Sequence, residues 1–112
     1  MPAMLDQYVK RILQSRVYDV ALETPIHAAP LISRRIGNRV LLKREDLQPV
    51  FSFKLRGAYN KPASLSDEQR AKGGTCPPAG NHAPALALSA RALGGRAVLV
   101  TPRPPTHIKA TS

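Results

Sequence analysis

Along the first part of the chain, Leu5, Val9, Ile12, Leu13 and Val17 recur at helical spacing, with Lys10, Arg11 and Gln14 on the other side. That pattern predicts an amphipathic helix from about Leu5 to Val20. Thr24-Pro25 breaks it, because proline removes a donor and pushes the residue before it out of the helical region. Pro30 then opens a short helix carrying Leu31, Ile32 and Ile36, with Gly37 or Asn38 as its stop. The compact apolar run Arg39-Val40-Leu41-Leu42-Lys43, charged at both ends, suits a strand.

Beyond it, Gln48-Pro49-Val50-Phe51 reads as a turn and Ser52 as an N-cap, so that Lys54 falls one turn into a helix. This helix runs to about Ala63 with Pro62 inside it. Ser66-Asp67-Glu68-Gln69 has the capping-box pattern and predicts a short helix ending at Gly73-Gly74. A strand is expected over Thr75 to Pro78, although Pro77 and Pro78 cannot donate ladder hydrogen bonds and argue against a central position. His82 to Leu93 is an Ala/Leu-rich helix stopped by Gly94-Gly95, and Arg96-Ala97-Val98-Leu99-Val100 is a buried strand. Helices alternating with short apolar runs predict an α/β fold, a partial parallel sheet flanked by helices. The expected organisation is one unit over residues 1–100 and a loose, proline-bearing tail over 101–112.

Composition narrows this picture. Hydrophobic residues make up 43% of the 112 and aromatics 4%, so a core must rest on Leu, Val, Ile and Ala. Eleven prolines are about twice the usual share. The net charge of +10 attracts anions in general, but the basic residues are scattered, and no nucleic-acid-binding motif accompanies them. Specific nucleic-acid binding is therefore not expected. Cys76 is a lone cysteine, which excludes a disulfide framework. His27, His82 and His107 lack ligand spacing, so no metal site is expected. No run approaches the ~20 apolar residues of a membrane span, and Met1 to Gln7 has no secretory pattern. A cytoplasmic protein is the resulting expectation. The adjacent acids Glu45 and Asp46, read as an extended pair pointing to opposite faces, suit salt bridges better than acid catalysis.

The segment Lys43-Arg44-Glu45-Asp46-Leu47-Gln48-Pro49-Val50-Phe51-Ser52-Phe53-Lys54-Leu55-Arg56-Gly57-Ala58-Tyr59-Asn60 resembles the cofactor-attachment region of the serine/threonine dehydratases. These are fold-type II pyridoxal-phosphate enzymes, built like the tryptophan synthase β subunit. A lysine that bonds covalently to an aldehyde must be reachable, partly desolvated and held in place, and the start of a helix after a strand and turn provides that. The string Ser52-Phe53-Lys54-Leu55-Arg56-Gly57-Ala58 resembles threonine dehydratases more than cysteine synthases. A second motif, Ala79-Gly80-Asn81-His82-Ala83, resembles the loop that opens the family's next helix. A helix N-terminus suits an anion, through its free N–H groups and dipole.

The resemblance implies pyridoxal 5'-phosphate as cofactor, with Lys54 as the catalytic attachment residue. It also implies that Phe53 and Asn81 are cofactor contacts, and that Gly80, Asn81 and His82 lie on the substrate side. The activity it implies is deamination of L-threonine, with serine as a second amino-acid substrate, to a 2-oxo acid and ammonia, in a homo-oligomeric parent. Isoleucine biosynthesis is the implied setting. The sequence departs from the family pattern at Pro62, at Pro77 and Pro78 (serine is usual at the latter), and at Pro84-Ala85, where glutamine and glycine are usual. The family's glycine-rich phosphate loop has no counterpart between Met1 and Ser112. The expectation is a truncated portion of the enzyme without turnover of its own; the alternative is a non-enzymatic basic fragment that binds polyanions through charge.

Overall fold

The computed structural model describes residues 2–76 and 80–100. In chain order the helices are α1 (Pro2–Gln14), α2 (Pro30–Ile36), α3 (Lys54–Ala63), α4 (Asp67–Ala71) and α5 (His82–Ala92). The strands are β1 (Ile26–Ala28), β2 (Leu41–Lys43), β3 (Gly74–Cys76) and β4 (Ala97–Leu99), and short 3-10 turns occupy Val17–Asp19 and Glu45–Leu47.

The first helix ends earlier than its apolar spacing suggests. α1 stops at Gln14, and Val17 belongs to a separate 3-10 turn. The reason is tertiary. The turn carries Asp19 to the hydroxyl of Tyr59 on α3, 2.7 Å away, and Val20 and Ala21 to the core. α1 itself stays exposed, with Leu5 66% and Leu13 79% accessible.

α2 follows the sequence closely, with Pro30 at its first position and Gly37 as a left-handed cap at φ 66°. Such a cap suits glycine because it has no Cβ to clash. β1 was not anticipated: Ile26-His27-Ala28 shows no alternation of its own and forms by pairing with β2, antiparallel, with His27 opposite Leu42. The sheet is therefore two separate ribbons. The parallel one expected from the sequence is β3 with β4, Thr75 opposite Val98. β3 ends at Cys76, one residue before Pro77; the expected strand positions Pro77 and Pro78, the residue Ala79, and the tail 101–112 lie outside the described residues.

The core lies where α3 packs on α5. Leu55 and Ala85 are fully buried, Ala58 and Ala21 nearly so, and Val20, Val50 and Leu88 pack against them. Ala85, standing where the resemblance leads to glycine, is thus part of the packing rather than a gap in it. Pro84 is buried as the third residue of α5, where a missing N–H has no helical partner to lose. Pro62 falls next to the last residue of α3, and the helix continues through it to Ala63. At Ser66 the capping box forms as read: its hydroxyl accepts from the Gln69 N–H, and the Gln69 side chain accepts from the Ser66 N–H.

Candidate functional site

Lys54 is the first residue of α3, not a residue one turn inside it. Phe53 occupies the cap position in a helical conformation, so Ser52 does not cap in the expected sense; its hydroxyl still accepts from the Lys54 N–H at 3.2 Å. Ser52 is buried while Phe53 and Lys54 are exposed, so the serine anchors the backbone and the next two side chains face outward.

The loop before α5 brings the second motif to this lysine. Gly80 has φ +97°, and a Cβ built on it would lie 3.9 Å from the Lys54 amine nitrogen. A larger side chain there would compete with the amine for space. Asn81 follows as the N-cap residue of α5, exposed and with no side-chain cap hydrogen bond, and His82 is the first residue of the helix. Lys54 and His82 line one open depression with Phe53, Arg56, Gly57 and Ala58. Of the residues singled out from the sequence, the structure thus brings Phe53, Lys54, Gly80 and His82 together, and Asn81 sits between the last two in the chain. Among the described residues, the Lys54 amine has no hydrogen-bond or salt-bridge partner.

Behind the lysine lies a polar cluster whose extent the sequence reading missed. Glu45 accepts from both ends of the Arg56 guanidinium, at 2.8 and 3.0 Å, and from the Thr24 hydroxyl at 2.7 Å. Gln48, fully enclosed, donates to Glu45 at 3.2 Å and to the Leu22 carbonyl at 2.9 Å, and accepts from the Leu22 N–H at 2.8 Å. Arg56 also lies over the Tyr18 ring, 5.4 Å from its centre. The Arg56 hydrogen bonds, opposed by partial burial, hold the Glu45 carboxyl well below its usual range, at about 2. The Glu45-Asp46 pair does make salt bridges, as the sequence suggests, but from a 3-10 turn rather than an extended segment: Asp46 takes Arg44 and Glu45 takes Arg56.

A bound pyridoxal phosphate would need a reachable amine, space beside it and a place for its phosphate. The exposed amine at the mouth of the depression and the missing side chain at Gly80 meet the first two needs. The residues therefore fit the aldehyde end of the cofactor. No glycine-rich phosphate loop occurs among the described residues.

The class this site defines is borne out by comparison. The family model described as pyridoxal-phosphate dependent enzyme matches residues 17–110, and the chain belongs to that family. Within it, the chain is 58% identical over 103 residues to the biosynthetic, chloroplastic threonine dehydratase 1 of Solanum lycopersicum, and 53% identical to the biosynthetic threonine dehydratase IlvA of Pasteurella multocida. Each match covers 92% of this chain but 17% and 20% of the relative. The processed threonine deaminase isoform 2 of Solanum lycopersicum superposes with a TM-score of 0.87 at 47% identity, covering 97% of this chain and 30% of that one. Maize serine racemase superposes at 0.77 with 35% identity, over 86% and 29%. The chain thus spans about a fifth of the length of these curated relatives.

Proposed function

We propose that this chain carries the cofactor-attachment part of a threonine dehydratase site, with Lys54 as the attachment residue and no turnover by the described residues alone. The observation that carries the reading is the convergence of the Lys54 amine on the side-chain-free face of Gly80, beside His82 at the start of α5. When bound, pyridoxal phosphate supplies an electron sink that stabilises negative charge at the substrate Cα. Lys54 would hold the cofactor by its aldehyde end. The same amine, when free, would stand close enough to accept the substrate Cα proton. Gly80 keeps the space beside the amine open. The first turn of α5, with Asn81 and His82, presents N–H groups and positive dipole to the substrate carboxylate. Asn81 would contact the cofactor, and Phe53 lines the depression. Threonine is the proposed substrate, serine a weaker one, in keeping with the names of the relatives.

The test is to load the purified chain with pyridoxal phosphate and titrate in L-threonine, L-serine and L-alanine, following the absorption of the lysine-bound cofactor and the 2-oxo acid formed. Threonine should change the absorption saturably and at lower concentration than the others, with no 2-oxobutyrate above that formed by free cofactor. Equal responses to all three amino acids would contradict it.

A further inference from the structure

The cluster behind Lys54 is placed where it decides how α3 presents its first turn. Arg56 stands two residues after Lys54, in the first turn of α3, and lines the same depression. Its partner Glu45 is held from three directions: by Arg56, by Thr24 on the segment leading to β1, and by Gln48 on the loop that feeds α3. Gln48 is tied in turn to both backbone groups of Leu22. Three stretches of chain, 22–24, 45–48 and the start of α3, therefore meet at one carboxylate. The buried face of α3, Leu55, Ala58 and Tyr59, fixes how the helix sits on α5. Apolar packing tolerates a slip of part of a residue, whereas a guanidinium engaged at two points by one carboxylate does not.

We propose that Glu45 and Arg56 are positioning residues that hold the first turn of α3 so that the Lys54 amine stands against Gly80. The proposal rests on the reading of Lys54 as the attachment lysine and adds what keeps it in place. Arg56 lines the depression beside Lys54 whereas Glu45 does not, and the pair acts on the amine through the backbone of α3 and the Glu45–Ser52 loop. The Ser52 hydroxyl, which receives the Lys54 N–H, is the last link of that loop.

Lys61 provides an internal reference, because it lies on the same helix, exposed, outside the cluster. The experiment treats the full chain with limiting pyridoxal phosphate, traps the adducts with borohydride and measures labelling at each lysine by peptide mass spectrometry. It compares the parent with Glu45→Gln, Arg56→Lys and Glu45→Asp, and checks helix content by circular dichroism. Misplacing a reacting group by about 1 Å costs on the order of 100-fold in favourable cases, so a fall of about tenfold in the Lys54-to-Lys61 ratio is expected in Glu45→Gln and Arg56→Lys. Helix content should stay at the parent level. Arg56→Lys keeps the charge and loses only the two-point grip, so its result separates positioning from simple ion pairing. Glu45→Asp keeps a carboxylate and should recover part of the ratio.

A parent-like ratio in both Glu45→Gln and Arg56→Lys would overturn the positioning role while leaving Lys54 as the attachment residue. A parallel change at Lys54 and Lys61, with helix lost, would reduce the pair to ordinary fold stabilisation and overturn it too. No preference for Lys54 in the parent would overturn the reading of the site, and the positioning role with it.

Discussion

The amine of Lys54 lies 3.9 Å from the point at which a side chain on Gly80 would begin. The two residues come from the motifs that open α3 and α5, and the fold brings the backbone of one beside the amine of the other. The backbone at φ +97° is unfavourable for any residue with a Cβ, and a Cβ there would stand in contact with the amine. Gly80→Ala should therefore lower stability by about 1–3 kcal/mol. It should also reduce cofactor labelling of Lys54 more than that of Lys61. Chemical denaturation and lysine-resolved labelling measure the two effects separately.

Acid should loosen the polar cluster behind the lysine. The Glu45 carboxyl is held at about 2 against an ordinary 4.5, so the folded chain binds fewer protons there than the unfolded one. Its stabilising contribution is complete above pH 4.5 and is lost as the pH falls from there toward 2. Asp19 and Asp46, also lowered by their Tyr59 and Arg44 hydrogen bonds, act in the same direction. Urea midpoints measured between pH 6 and pH 3 should fall, and the fall should be smaller in Glu45→Gln, which has no proton to take up.

The Tyr59 hydroxyl donates to Asp19 at 2.7 Å across the turn that follows α1. Tyr59→Phe removes this bond and should cost about 1 kcal/mol. Burial, reinforced by Asp19, raises the Tyr59 hydroxyl above its usual 10. The folded parent keeps its proton longer than the unfolded chain, so stability falls as the pH rises past 10. Tyr59→Phe should show none of that alkaline loss, as thermal melts at pH 8 and 10.5 would reveal.

Pro62 removes from α3 the N–H that would otherwise bond to the Ala58 carbonyl one turn earlier. Pro62→Ala restores that donor in the last turn of the helix. A full interior proline costs about 3 kcal/mol; near a helix end the gain should be about 1–2 kcal/mol. A higher thermal midpoint for Pro62→Ala would bear this out, and an unchanged one would show that the end of α3 is already frayed.

Much of the helical framework was legible in the sequence, and so was the grouping of Lys54 with Phe53, Gly80 and His82 in a candidate site, for different reasons. α2, α4 and α5 carry their own start and stop signals: Pro30 and Gly37, the Ser66–Gln69 box, and Gly94-Gly95. The site was legible through resemblance, since no periodicity marks Lys54 as different from Lys61. What escaped is what depends on partners distant in the chain. β1 exists because of β2, and α1 stops early because Asp19 is drawn to Tyr59. Glu45 and Arg56 stand eleven residues apart in one recognised motif. Their charges suggested salt bridges, but only the fold shows that the pair, with Thr24 and Gln48, braces the helix bearing the lysine.

The most direct test of the central claim is a titration of the purified chain with pyridoxal phosphate, following the visible absorption of lysine-bound cofactor, with Lys54→Ala in parallel. A saturable signal at one cofactor per chain that disappears in Lys54→Ala is the expected result. A weak, non-saturating signal of the same size in both proteins would contradict it, because it would mean that the lysines react at random and that Lys54 and Gly80 do not form a site.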